Sequence, residues 1–288
     1  MRKNLLLFIA ILCSVSSFAQ TGKVLESLEF TSKLVENPVK YSIYLPPGYD
    51  SSQRSYPVVY LLHGYSDDET GWVQFGEVDR IADKGIASGD IAQCIIVMPN
   101  GKVTWYCNSY DGSDPWEDMF IEEFIPFIEK EYRVRAKKEY RAIAGLSMGG
   151  FGALNIGMHH TDMFSTVVAL SAGIVTDEQV LNSTGFDHYF GKIFYDKKPE
   201  GKVNDYWKAN NPLHLLESVD IDKLKSVRYY LDCGDDDFLG RGNSELHFKM
   251  KDLGIKHEYR VRDGIHSWVY WRTGLPDGLK YISEVFHR

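Results

Sequence analysis

The sequence predicts an α/β fold: a mostly parallel central sheet with helices on both faces, forming a three-layer sandwich. Three observations predict it. Apolar, β-rich runs alternate with helical patterns along the chain. Those runs are nearly continuous in apolar residues, as in strands buried on both faces. A glycine-flanked serine, Gly145-Leu146-Ser147-Met148-Gly149, stands where a strand would turn sharply into a helix. A chain of 288 residues, 44% hydrophobic and 14% aromatic, is long enough to bury one sizeable core of this kind.

In chain order, the β-rich runs are Val39 to Leu45, Pro57 to Leu62, Ile91 to Met98, Arg141 to Leu146, Thr166 to Leu170, Val227 to Cys233 and His257 to Arg262. Helical patterns fall at Trp116 to Tyr132, Met148 to Met158, Ser244 to Leu253 and Leu275 to Phe286; the third carries Glu245 and Lys249 at i and i+4. Gly150, Gly152, Ala153 and Gly157 give the second helix a small face that can lie close to a sheet. The segment 175–225 lacks clean strand periodicity and holds Gly185-Phe186-Asp187, Tyr195 and Trp207, so it is expected to form a lid-like insertion that shapes an acyl pocket.

A mostly parallel sheet places ligands at the carboxyl ends of its strands, and four segments fall there. Ser147 sits on the corner after Leu146, between glycines that a backbone reversal within two residues requires. Leu61-Leu62-His63-Gly64-Tyr65 ends the second run, Cys233-Gly234-Asp235-Asp236-Asp237 a later one, and Gly264-Ile265-His266-Ser267-Trp268 follows the last. A serine hydroxyl becomes nucleophilic when a base takes its proton, an imidazole titrates near working pH, and a buried carboxylate fixes the imidazole tautomer. Ser147, Asp237 and His266 supply those types, in the Ser-Asp-His chain order of the α/β-hydrolases. Spacing alone leaves Asp235 and Asp236 open as the acid. A turn opened by Gly234 favours Asp237, which would swing back over the sheet edge. The backbone N–H groups of Tyr65 and Met148 are the expected oxyanion donors, and His63 would orient the loop of Gly64 and Tyr65. The other seven histidines, His159 and His160 among them, have no such setting and read as structural or solvated.

Residues 1–19 have a basic start (Arg2, Lys3), an apolar run from Leu5 to Cys13 and the small-residue ending Ser17-Phe18-Ala19. They read as a cleavable signal peptide that leaves 20–288 as a single catalytic domain, secreted or periplasmic. The apolar run is too short to span a bilayer, so no membrane insertion is expected. Loss of Arg2 and Lys3 takes the 32 basic residues to 30 against 40 acidic ones, a net of −10, which disfavours nucleic acid and anionic membranes as partners. Cys94, Cys107 and Cys233 remain, an odd number that permits at most one disulfide; Cys94 and Cys233 lie in apolar runs typical of core residues. No Cys/His spacing suggests a metal site, and no cofactor is implied.

The ordered set Leu62-His63-Gly64, Val97-Met98-Pro99-Asn100-Gly101, Gly145-Leu146-Ser147-Met148-Gly149-Gly150, Asn211-Pro212-Leu213, Cys233-Gly234 through Asp237 and His266-Ser267-Trp268 resembles the esterase D-like branch of the α/β-hydrolases. That branch includes feruloyl and acetylxylan esterases, S-formylglutathione hydrolases and mycolyltransferases. The resemblance runs over about residues 25 to 286. It implies a serine esterase with Ser147, Asp237 and His266 as triad, and Tyr65 and Met148 as oxyanion hole. Residues 1–19 argue against the cytosolic formylglutathione enzymes, and no long apolar groove for a very long acyl chain is evident. The expected substrate is an acylated plant polysaccharide, oligosaccharide or small ester carrying a feruloyl or acetyl group. Trp72, Trp105, Tyr106 and Trp268 are its expected contacts, as flat rings near the rim. The alternatives are an acyltransferase with a sugar acceptor, which the stretch around His266 also resembles, and a non-catalytic carbohydrate-binding protein of the same fold. The sequence leaves the oligomeric state open.

Overall fold

Valine, isoleucine and leucine fill the middle strands, and each is buried on both faces: β3 (Val58–Leu62), β4 (Ile95–Pro99), β5 (Arg141–Leu146) and β6 (Thr166–Leu170) contain no exposed residue. These four, with β1 (Lys23–Phe30), β2 (Val39–Leu45), β7 (Arg228–Gly234) and β8 (His257–Arg262), form one eight-stranded sheet in the order β1-β2-β4-β3-β5-β6-β7-β8. The coordinates are a computed structural model that describes residues 21–287. The signal read at residues 1–19 lies outside the described residues.

Pairing is antiparallel for β1–β2 and β2–β4 and parallel from β4 through β3, β5, β6 and β7 to β8. One face buries the helix Met148–His159 and the helical stretch Trp116–Glu131; the other buries Val78–Ser88 and Trp268–Phe286. This is the three-layer α/β-hydrolase fold, with every parallel strand delivering its carboxyl end to one rim.

Several elements differ from the sequence reading. The edge strand β1 escaped it because its alternation breaks at a bulge between Leu25 and Leu28, where Ser27 has φ of 52°. The helix Val78–Ser88 buries only Val78 and Ala82, so its polar turns hide it. The last helix starts at Trp268, seven residues before the expected Leu275, and continues through Pro276, whose ring usually marks a boundary. The pattern from Trp116 to Tyr132 is helical throughout, but Met119–Phe124 widens into a π-helix just before Pro126, which has no N–H to offer the carbonyl of Glu122. Between β6 and β7 the segment 175–225 forms six short helices and no strand. Its Phe186, Phe190, Phe194, Tyr195 and Trp207 are buried in the same core as Trp105 and Phe151. Among the described residues, no helix is long and apolar enough to cross a membrane.

Candidate active site

The corner after β5 is built as its glycines require. A methyl group on Gly145 would stand 2.3 Å from the carbonyl oxygen of Gly149, and one on Gly149 would stand 2.4 Å from Leu62 O and 2.6 Å from His63 O. Both clashes are with backbone, which has no rotamer to retreat into. Ser147 itself adopts φ 52°, ψ −118°, a strained setting for a residue with a Cβ. Three backbone hydrogen bonds hold it there: its N–H donates to Leu170 O (2.9 Å), and its carbonyl accepts from Phe151 N–H (3.0 Å) and Gly173 N–H (2.8 Å). We expect Gly149→Ala to lower the melting temperature by more than about 5 °C, since the helix must move off the β3 end to admit the methyl. Thermal unfolding followed by circular dichroism checks this; an unchanged melting temperature contradicts the close approach.

The structure brings Ser147, His266 and Asp237 together from three separate strand ends. His266 Nε2 lies 2.9 Å from Ser147 Oγ, and Nδ1 lies 2.8 Å from Asp237 Oδ2. A carboxylate opposite Nδ1 assigns the proton to that nitrogen and leaves the Nε2 lone pair facing the serine hydroxyl. The Asp237 side chain is fully buried. Burial alone would raise its pKa, but the hydrogen bond from His266 and that from the Leu239 N–H to Oδ1 (2.9 Å) hold it below the usual carboxylate range. Phe238 packs on the His266 ring at 4.7 Å and Trp271 meets it edge-on at 4.8 Å, so the imidazole is wedged between two aromatics. Asp235 and Asp236 are exposed on the turn, where Asp235 Oδ1 accepts from Gly264 N–H (3.0 Å) and pins the loop that carries His266. With Asp263 they make the one acidic group among the described residues close enough to share an ion, and it lies outside the cavity.

Two backbone donors border the same space. Met148 begins the twelve-residue helix, so its N–H sits at the positive end of the helix dipole. Tyr65 follows His63-Gly64 at the end of β3. Among the described residues neither N–H meets an acceptor, so both are free for a ligand oxygen. The Tyr65 loop is fixed through His63: Nδ1 donates to Gly64 O (2.8 Å), and Nε2 accepts from Gly101 N–H (2.8 Å). Burial lowers the His63 pKa, in keeping with a neutral ring in that double role.

A cavity of about 580 Å³ lies over Ser147 and His266. Of the four aromatics expected there, Trp105 lines it. Trp72 and Tyr106 do not: both are fully buried, with Trp72 Nε1 donating to Leu62 O (2.9 Å) and the Tyr106 hydroxyl to His63 O (2.9 Å), so they brace the β3 end from below. Trp268 packs against Trp72 and Phe75 and is absent from the cavity wall. The wall instead includes Tyr189 and Phe190 from the 175–225 segment, and Phe238, Trp271 and Asp67. The segment is tied down by the Trp105 indole N–H to Tyr189 O (2.7 Å) and the Tyr65 hydroxyl to His188 O (2.9 Å). Of the histidines read as structural or solvated, His159 and His160 both face Glu117 Oε1, at 2.8 and 3.0 Å, behind the helix that starts at Met148. Cys94, Cys107 and Cys233 are buried and unbridged.

The fold and its similarity to known proteins place the chain among the hydrolases of carboxylic esters. The chain belongs to the esterase family whose model, "Putative esterase", matches residues 32–282. A solved structure titled ferulic acid esterase superposes with a TM-score of 0.80 at 34% identity, over 93% of this chain and 99% of that one. An acetyl esterase of Caldicellulosiruptor saccharolyticus is 23% identical over 237 residues, 82% of this chain and 86% of the relative. An endo-1,4-beta-xylanase/feruloyl esterase of Xylanibacter ruminicola is 32% identical over 184 residues, which cover 62% of this chain and 25% of that longer protein. The motif set thus resembled the branch in which these relatives fall.

Proposed function

We propose that the protein is an exported serine esterase that removes feruloyl groups from plant polysaccharide or its fragments, with Ser147 as nucleophile, His266 as general base and acid, and Asp237 as the carboxylate that orients it. One observation carries the reading: the continuous hydrogen-bonded line Ser147–His266–Asp237 at the floor of a cavity with two free N–H donors. As Ser147 Oγ attacks the ester carbonyl, His266 Nε2 takes its proton and Asp237 stabilises the imidazolium. The carbonyl oxygen becomes an oxyanion between Tyr65 N–H and Met148 N–H. It collapses when Nε2 passes the proton to the departing alcohol oxygen. Water, deprotonated by the same nitrogen, then attacks the acyl carbon, and as the bond to Ser147 Oγ breaks Nε2 returns that proton to Oγ, releasing the acid and restoring Ser147. The strained φ of Ser147 keeps Oγ clear of the helix and pre-set for attack.

The wall favours one acyl group. Trp105, Val175, Tyr189 and Phe190 line it, and an aryl ring stacks on such a surface where an acetyl group would leave these rings uncovered. The segment 175–225 acts as the lid that completes this wall. The ferulic acid esterase relative and the xylanase/feruloyl esterase support the same acyl group, and residues 1–19 support export. A panel of methyl ferulate, p-nitrophenyl acetate, acetylated and feruloylated xylo-oligosaccharides and a peptide amide tests it. We expect the highest kcat/KM on the feruloyl esters and none on the amide. A clear preference for the acetylated oligosaccharide would move the assignment to acetyl esterase, and acyl transfer to added sugar in place of hydrolysis would make the protein a transferase.

A further inference from the structure

Asp67 is an ionisable group in the cavity that the proposed chemistry does not use. It sits on the loop after Gly64, half-buried. A methyl at Gly64 would lie 3.2 Å from its Oδ2 and 3.7 Å from Ser147 Cβ, so the carboxyl and the reactive hydroxyl share one end of the cavity. Among the described residues no side-chain cation or side-chain donor acts on it: its surroundings are its own burial, the charge of Asp68 and the Gly64 backbone. The Gly64 N–H is the one donor that acts on it, and the carboxyl lone pairs left without a donor in this partly dry setting can be satisfied by a ligand donor.

The two halves of the cavity differ in chemistry. The acyl side is the apolar wall of Trp105, Val175, Tyr189 and Phe190. The departing oxygen must face His266 Nε2, which gives it a proton, so the alcohol lies on the His266 side. Asp67 borders that half: its Cβ and Trp268 Cζ2 approach the same point above Gly71, at 3.5 and 3.3 Å. Trp268 meets Trp271 edge-on at 5.4 Å, and Trp271 meets His266. We propose that the Asp67 carboxylate accepts a hydrogen bond from a hydroxyl of the alcohol half of the ester, making it a specificity-determining residue for polyhydroxylated alcohols such as sugars. This deepens the esterase reading and rests on it.

The charge state of Asp67 makes the idea testable without a mutation. Burial, and after it the charge of neighbouring Asp68, raises its pKa to about 6. The other titratable groups near it are Tyr65, Tyr189 and His266, which line the same cavity, and Tyr106, buried beneath, whose hydroxyl the Asp67 charge reaches; Gly71 and Trp268 are what the adjoining helices present. Above that pH the carboxylate offers a charge-assisted bond, about twice the strength of a neutral one, and below it the acid does not.

The measurement is the ratio of kcat/KM for a feruloylated arabinose to that for ethyl ferulate, from pH 5 to 8. Any titration of Ser147–His266 acts on both esters and cancels in the ratio. We expect the wild-type ratio to rise several-fold through about pH 6. In Asp67→Asn it should be flat and about tenfold lower at pH 8, chiefly through a higher KM for the sugar ester. A wild-type ratio independent of pH, or an Asp67→Asn ratio equal to wild type, overturns the proposal while leaving the esterase reading intact. An equal fall on both esters also overturns it, because Asp67 would then serve the fold or the chemistry. If acetyl esters are the faster substrates, acetylated xylose against ethyl acetate gives the same ratio. Failure to hydrolyse any of the four esters would reject both readings.

Discussion

Ser147→Ala is expected to lower kcat on an aryl ester by at least about 10⁴-fold, because among the described residues lining the cavity the Ser147 hydroxyl is the one hydrogen-bonded to an imidazole, and without it only the oxyanion donors and binding contacts remain. The melting temperature should stay within about 3 °C of wild type. Alanine keeps the Cβ, so the strained backbone at φ 52° is unaltered, and the three bonds that hold the corner use backbone atoms of residue 147. The lost hydroxyl makes one side-chain hydrogen bond, to an imidazole that is itself held by Asp237 and two aromatic rings. Steady-state kinetics beside thermal unfolding separate the two effects. A variant that retains a tenth of the activity, or one that unfolds, contradicts the assignment.

Asp237→Asn should cost about 10⁴-fold in kcat, near the loss expected for the serine. An amide at this position can present its NH₂ to Nδ1, which moves the ring proton to Nε2; that nitrogen then cannot accept from Ser147 Oγ. Asp235→Asn and Asp236→Asn should stay within about threefold of wild type, since both side chains are exposed and the amide oxygen of an asparagine at position 235 can still accept from Gly264 N–H. The depressed pKa adds a pH signature. A carboxyl lowered on folding contributes stability above its unfolded pKa, near 4, and loses it as pH falls through the lower folded value. Mild acid near pH 5 therefore leaves Asp237 ionised and its stabilising share intact. If Asp235→Asn or Asp236→Asn proves the more damaging, the carboxylate role has been placed on the wrong residue.

The parts of this site that were legible in the sequence are those fixed by short-range constraint. Gly145 and Gly149 flank Ser147 because backbone approaches backbone on both sides, and that requirement is written in the residues themselves. Asp237 and His266 follow strands, so the topology of a parallel sheet gathers them. The wall was not legible. Trp105 and Tyr106 are adjacent and both adopt positive φ, 56° and 60°, so neither helix nor strand periodicity says which ring meets the cavity; Trp105 does and Tyr106 turns into the core. Trp72 and Trp268 pack on one another, a tertiary contact between residues 196 positions apart. Tyr189, Phe190 and Asp67 belong to loops and short helices whose facing side is set by what they pack on, as with the Trp105 and Tyr65 hydrogen bonds to the Tyr189 and His188 carbonyls. Edge strand β1 was hidden by its bulge for the same reason: a local irregularity that only its neighbour explains.

The most direct test of the central claim is to trap the covalent intermediate: rapid acid quench of the enzyme turning over an aryl ester, followed by peptide mass spectrometry. The account predicts an added acyl mass on the peptide bearing Ser147, absent from Ser147→Ala and accumulating in Asp237→Asn only slowly. An acyl group found on another residue, or full turnover with no covalent adduct and no sensitivity to loss of the Ser147 hydroxyl, would contradict it.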